Sequence, residues 1–225
     1  MRPPRPRPAP PVSARPRQLS VTQIETWMRD PYAVYARHIL RLRPLDLIDA
    51  DPGAAERGTM IHEALDRFVR DYPDHMPPDV LRVLSDTGVT VFGKTLSLPG
   101  IWTFWWPRYE RIIEWFAETE TAYRQNIRKT HTEVPGTLEI ISRQGKFTLI
   151  AKADRVDELE DGTISIIDYK TGQPPSGTDI SLGFAPQLPL EAAIAQAGGF
   201  SGVAGAPVTL LEFWQLSGGA PAGER

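Results

Sequence analysis

The sequence predicts an α/β domain. A central mixed β-sheet, made of an antiparallel meander and a strand returning through a crossover helix, is flanked by helices and preceded by a helical extension. Three observations carry that reading. Segments 146–157 and 163–169 are rich in β-formers and flank Asp161-Gly162, a dipeptide suited to a tight hairpin turn. A further strand pattern at 133–141 precedes them and completes a three-strand meander. A helical pattern at about 186–197, stopped by Gly198-Gly199, then leads to a strand pattern at 207–216. A strand reached through a crossover helix can pair in parallel, which makes the sheet mixed and puts helices on its faces.

Composition narrows the class. A chain of 225 residues with 41% hydrophobic content can bury one good core, with at most a small appendage. No cysteine is present, which excludes a disulfide framework, a thiolate zinc site and a cysteine-held iron–sulfur cluster. A reducing compartment fits, and a cytoplasmic location is expected. The N-terminus carries Arg and Pro rather than an apolar signal core, and no run reaches the roughly 18 apolar residues of a membrane span. A soluble protein or part of one is expected, with no membrane partner.

Net charge is −3 and unevenly spread. Residues 1–17 hold Arg2, Arg5, Arg7, Arg15 and Arg17, seven prolines and no acid, which leaves 20 basic against 28 acidic residues in 18–225, a net of −8. A free-standing duplex binder shows a basic face. Any attraction for nucleic acid must here come from a bound cation, a local groove or a partner.

Residues 1–17 read as a disordered Pro/Arg-rich linker, and 18–225 as the folded domain. Composition favours a solvated tether over a polybasic DNA contact for the linker. Order begins at Leu19. Ser20 and Gln23 have capping-box spacing, and Ile24, Trp27 and Met28 are expected as the buried stripe of a short helix that Asp30-Pro31 ends. A second helix is expected over Tyr32 to Leu42, a loop over 43–53, and a longer helix from Ala54 to Asp71 with Met60, Ile61, Ala64, Leu65, Phe68 and Val69 on its core face. His62 borders that stripe, on the same side as Asp66. Residues 77–100 read as a short helix and an irregular stretch. The helix that follows is dense in aromatics from Trp102 to Tyr123, and core packing explains it better than base stacking. The ending at Ser217-Gly218-Gly219-Ala220 suggests a larger parent chain.

Residues Gly88 to Thr95 match the written pattern of a phosphate-binding loop. The context argues against it. Such a loop follows a strand and opens a helix, whereas a helical segment precedes this one and Pro99 stands just beyond. An NTPase is therefore a rival reading with little support.

The strand face shared by Ile164, Ile166, Asp168 and Lys170 is more informative. An acid and an amine ending an apolar strand cost several kcal/mol when buried, unless they are paired or hold a metal. Asp154 ends the neighbouring strand segment, and two such carboxylates can grip a divalent cation.

The local words around these residues carry a resemblance. Ala151-Lys152-Ala153-Asp154-Arg155-Val156-Asp157 resembles the GxxDRID motif of the RecB-like PD-(D/E)XK nucleases, and Ile167-Asp168-Tyr169-Lys170-Thr171-Gly172 their DxKTG motif. Arg57 to His62 is similar to the upstream GTxxH motif, and Gln187 opens a helix as in QxxxY. The four occur in the family's order over about residues 18–217. Their surroundings look closest to the C-terminal nuclease region of the AddB subunit of bacterial AddAB-type helicase–nucleases. Ala151 stands where the family has Gly, and Glu191 where QxxxY has Tyr. Asp30 takes the place of the cluster-ligating cysteine of many relatives, so no iron–sulfur cluster is expected.

The resemblance implies a restriction-endonuclease-like core and DNA cleavage in double-strand-break repair. It implies Mg²⁺ or Mn²⁺ held by His62, Asp154, Asp168 and the Tyr169 backbone carbonyl, with Asp154, Asp168, Lys170 and Gln187 catalytic. Lys152 and Arg155 are candidate phosphate contacts, with surface salt bridges equally open to them. The implied partners are DNA, as a single strand from an unwound duplex end, and an AddA-like helicase–nuclease subunit. The alternative is a catalytically inactive scaffold or DNA-binding module that keeps the fold.

Overall fold

The computed structural model describes residues 9–43, 45, 53–93 and 100–225. A single 3-10 turn at Val12–Ala14 precedes a three-residue strand, β1 (Gln18–Ser20), and helix α1 (Val21–Arg29). Ser20 caps α1 as its spacing predicts. Its hydroxyl accepts from the Gln23 N–H, and the Gln23 side chain accepts from the Ser20 N–H. Asp30 ends α1 and caps α2 (Pro31–His38), which opens on Pro31. Helix α3 (Ala54–Asp71) covers the residues its apolar period marks, with Ile61, Ala64, Leu65, Phe68 and Val69 buried. Helix α4 (Val80–Phe92) follows, then a π-helical turn at Ile101–Trp105 that runs into α5 (Trp106–Tyr123). The meander is β2 (Ile127–Ser142), β3 (Gly145–Leu159) and β4 (Ile164–Lys170). A short α6 (Gly177–Ser181), the crossover helix α7 (Gln187–Gln196) and β5 (Val208–Gln215) complete the path.

Strand β3 is the spine. Along one edge it pairs antiparallel with β2, from Ser142↔Gly145 to Ile127↔Leu159. Its other edge is shared: β1 lies parallel against Thr148–Ile150, and β4 lies antiparallel against Arg155–Glu158. β5 joins β4 in parallel through the crossover, giving the mixed sheet expected from the element order. At the β3–β4 turn Gly162 takes φ +81°, and the Asp161 carboxylate accepts from the Thr163 N–H and hydroxyl.

Helices cover both faces. α3, α4 and α5 pack on Ile167, Tyr169 and Trp214, while α1 and α7 pack on Leu149, Ala151, Ala153, Ile164 and Ile166. β4 is thus buried on both sides, which is why its sequence is almost uninterruptedly apolar until Asp168.

Several expectations change. β1 was not foreseen, because three residues are too few to show a period. Trp27 and Met28 are 49% and 48% exposed instead of buried. α1 is only nine residues long, and it seats through Val21 and Ile24. An apolar period identifies a face without saying what covers it. α2 ends at His38, short of Leu42. Trp106, Tyr109 and Phe116 are buried as core packing requires, but Trp102 and Phe104 on the π turn are exposed.

Helix α4 runs on through Gly88 to Phe92, so that part of the phosphate-loop match is helical and its amides bond within the helix. Gly88 is there for a different reason. A Cβ on it would stand 2.2 Å from Cε1 of the Tyr109 ring. Lys94, Thr95 and Pro99 lie outside the described residues, as do Arg2, Arg5, Arg7 and most of the 43–53 loop. Gly88→Ala is expected to lower stability by about 1–3 kcal/mol through overpacking. Urea unfolding checks this, and an unchanged midpoint would contradict the close seating of α4 on α5.

Candidate active site

The site lies where the sheet forks. On one edge of β3, pairing to β1 stops at Ile150 and pairing to β4 begins at Arg155, so among the described residues the edge from Ala151 to Asp154 has no strand beside it. Beyond Ile167, β4 pairs among the described residues with β5 alone. The Tyr169 N–H therefore meets a side chain in place of a β3 carbonyl: Asp154 Oδ2 accepts it at 2.9 Å.

A slip in the strand's alternation aims Asp154 there. Ala151 and Ala153 face the α7 layer, and so does Val156, while Arg155 reaches Glu120 on α5. The phase moves by one residue at Asp154. The ladder is in register on either side, Thr132↔Arg155 and Val134↔Ala153, and Glu133 between them takes φ +53°.

His62 arrives from α3. A Cβ on Gly58 would stand 2.8 Å from Thr171 Oγ1, so that glycine lets the helix close on the segment after β4. His62 Nδ1 sits 3.4 Å from Asp154 Oδ2, and its ring meets the Tyr169 ring edge-on at 6.0 Å between centroids. The Tyr169 backbone carbonyl is within hydrogen-bonding reach of the same imidazole.

Asp168 and Lys170 point to the opposite layer, where α7 begins. Gln187 Nε2 donates to Asp168 Oδ1 at 2.5 Å, and Lys170 Nζ donates to Gln187 Oε1 at 3.1 Å. Lys170 Nζ also lies 2.7 Å from Asp168 Oδ2. One turn along α7, Glu191 Oε1 accepts from Gln187 Nε2 at 3.3 Å.

The electrostatics are strained in one direction. Burial pushes the Asp154 carboxyl up to about 6, against the pull of the Tyr169 N–H. Burial and the Asp154 charge push Asp168 up to about 6 as well. Burial, then the charge of Asp168, lifts Glu191 to about 8. His62 is lowered by burial, which keeps it a neutral nitrogen donor near pH 7.

Two disfavoured carboxylates, a neutral imidazole and a carbonyl make a donor set that suits a hard divalent cation. Among the described residues, no group of three or more His, Asp or Glu side chains is placed so that it could hold a metal ion. In this arrangement the Asp168 oxygens face Gln187 and Lys170 instead.

The two candidate phosphate contacts separate. Lys152 is exposed, and its ammonium is engaged by Glu133. Arg155 is fully buried, which corrects its assignment to DNA. It donates to Asp157 at 2.8 Å and to Glu120 at 2.6 Å, and its guanidinium lies over the Tyr123 and Trp214 rings. A guanidinium so enclosed joins α5 to the sheet and cannot reach a phosphate.

Sequence reasoning also missed Glu133, whose charge acts on His62 and Asp154. With Thr59, His62, Glu63 and Asp66 it lines a cleft beside the fork. No strand pattern marks such a residue, because its importance comes from a backbone irregularity.

A family model described as the PD-(D/E)XK nuclease superfamily matches residues 18–222. The chain belongs to that superfamily. An uncharacterized protein of Rickettsia bellii is 31% identical over 83% of this chain and 22% of its own length. An uncharacterized protein of Rickettsia conorii is 30% identical over 83% of this chain and 23% of its length. An ATP-dependent helicase/deoxyribonuclease subunit from Clostridioides difficile is 27% identical over 76% of this chain and 17% of its length. The chain thus spans less than a quarter of the length of these relatives. As a superfamily member with an α/β mixed-sheet core, it has the restriction-endonuclease-like fold. Nucleases of this superfamily generally use divalent metals.

Two outcomes follow from the geometry. Between about pH 4, where an unfolded Asp titrates, and about pH 6, the folded chain keeps a proton on Asp154 that the unfolded chain has released. Asp154 therefore makes the metal-free fold less stable as pH rises through that window. Asp154→Asn should flatten the fall, as read by urea unfolding in chelator from pH 4.5 to 7.5, and an unchanged slope would refute the raised carboxyl. Arg155→Met should cost roughly 3–5 kcal/mol of stability by stranding buried carboxylates. A stable variant with weakened DNA binding alone would restore Arg155 to the DNA contacts.

Proposed function

We propose that this domain is a metal-dependent deoxyribonuclease. Residues 18–225 would be the nuclease unit of an AddB-like subunit that cuts single strands from unwound duplex ends during double-strand-break repair and recombination, beside an AddA-like helicase–nuclease partner. The observation that carries the chemistry is the fork, where His62 and Asp154 stand 3.4 Å apart and the Tyr169 N–H binds Asp154, next to Asp168 and Lys170. The relative from Clostridioides difficile supports the finer assignment through its name.

In this reading His62, Asp154, Asp168 and the Tyr169 carbonyl hold Mg²⁺ or Mn²⁺. The bound cation supplies an acidified water and polarises phosphate oxygens. The chain's own groups do the rest. Burial keeps His62 unprotonated, and the Tyr169 N–H holds the Asp154 carboxylate in one orientation. Lys170, tied to Asp168 and Gln187, presents its ammonium at the strand end, where it can orient an attacking water or offset charge growing on the phosphate. Lys152 is an exposed cation on the neighbouring strand, available to the DNA backbone once it leaves Glu133. The acidic body gives no general pull on DNA, so attraction is local to these groups.

The test is cleavage of single-stranded and duplex DNA with and without Mg²⁺ or Mn²⁺. Lys170→Ala and Asp168→Ala are each expected to lose at least about a hundredfold in rate, with thermal unfolding still cooperative. Metal-dependent cutting that survives in both purified variants would overturn the proposal. Absence of cutting by the unaltered protein, with no Mn²⁺ binding by calorimetry, would favour a scaffold that retains the fold.

A further inference from the structure

Helix α7 carries a buried acid, Glu191, to which the nuclease reading assigns no task. Glu191 is 1% exposed, and its Oε2 has no hydrogen-bonding partner among the described residues. Burying a carboxyl without an ion pair destabilises a fold, and Leu at that place would pack at less cost. The value of the residue must lie in what it touches, and it touches Gln187.

Gln187 sits between a group that can only donate and groups that accept. The Lys170 ammonium offers N–H alone, and ionised Asp168 offers lone pairs alone. The amide satisfies both in one orientation, with Oε1 on Lys170 and Nε2 on Asp168. Turned by half a rotation, it would oppose oxygen to oxygen and N–H to ammonium. That preference weakens whenever Asp168 gives its oxygens to another ligand. Glu191, one turn along the same helix, accepts on the Nε2 side too.

We infer that Glu191 is a positioning residue: by accepting a second N–H from the Gln187 amide, it keeps that amide's Oε1 turned to Lys170 and so fixes the ammonium at the strand end. The consequence for catalysis rests on the nuclease reading, whereas the orientation of the amide does not. The accepting atom is Glu191 Oε1, while Oε2 has no partner among the described residues. Glutamine keeps a carbonyl oxygen there and is its close mimic, and leucine keeps the volume without the acceptor.

The experiment compares Glu191→Gln, Glu191→Leu, Gln187→Ala and the double variant Gln187→Ala/Glu191→Leu. It uses Mg²⁺-dependent cleavage of single-stranded DNA and ¹⁵N NMR of the metal-free protein. Glu191→Leu should lower kcat by roughly tenfold, within the coupling range of contacting residues, and leave KM within about twofold. Glu191→Gln should stay within about threefold of the unaltered enzyme, and leucine should cost nothing more once Gln187 is alanine. The Gln187 side-chain amide pair, assigned as the resonances lost in Gln187→Ala, should be well dispersed in the unaltered protein and in Glu191→Gln. It should move toward free-amide positions in Glu191→Leu.

Additive losses, a glutamine variant as impaired as leucine, or unmoved Gln187 resonances would overturn the inference. Should leucine fail to fold, Glu191→Met removes the same acceptor. A protein that cuts no DNA at all would defeat the nuclease reading, and the NMR arm would still decide the role of Glu191.

Discussion

One hydrogen bond organises the functional end of this fold. Where β4 parts from β3, a backbone N–H is left facing a gap, and the Asp154 carboxylate fills the place of the missing strand. The bond does two things at once. It satisfies Tyr169, whose neighbours are buried on both faces of the sheet, and it fixes the direction of a carboxylate that burial would otherwise disfavour. The slip in alternation at Asp154 and the left-handed backbone of Glu133 are the local costs of pointing that side chain into the fork.

Around the fork, charge is sorted by layer. On the α5 side, Arg155 is enclosed with Glu120 and Asp157 and lies over aromatic rings, a closed network with a structural task. On the α7 side, Asp168, Lys170, Gln187 and Glu191 form a chain of contacts that ends at half-buried Lys170. The first network rigidifies the sheet, and the second leaves an ammonium partly open to solvent beside two buried, uneasy acids. Stability and chemistry are thus served by charged residues on neighbouring strands of one sheet.

Much of this was legible in the chain. The period of α3 gave its limits, Asp161-Gly162 gave the hairpin, and the alternation of β4 put Asp168 and Lys170 on one face. Asp168 and Lys170 stand out because an apolar strand does not end on such residues without a reason, and Asp154 because it ends the neighbouring strand segment, whereas His62 is marked only by the resemblance of Arg57 to His62 to a family motif. Other features depend on partners far away in sequence. Arg155 reads as a surface cation until Glu120, from a helix that precedes the meander, is placed against it. Nothing in the spacing of Glu133 foretells a left-handed backbone, since that conformation arises from the pairing of two long strands. The exposure of Trp27 and Met28 was hidden for the same reason: a helical period shows an apolar face, while its cover is settled by the tertiary arrangement.

The parallel strand β1 has a bearing on how the chain comes to be folded. Its three residues pair with Thr148–Ile150, which lie some 130 positions later. At translation rates of roughly 5–20 residues per second, the first strand waits on the order of ten seconds for its neighbour to emerge. Closing so long a loop late makes its insertion a slow, non-local step. Until then one edge of the spine is open, and mispairing is most available there.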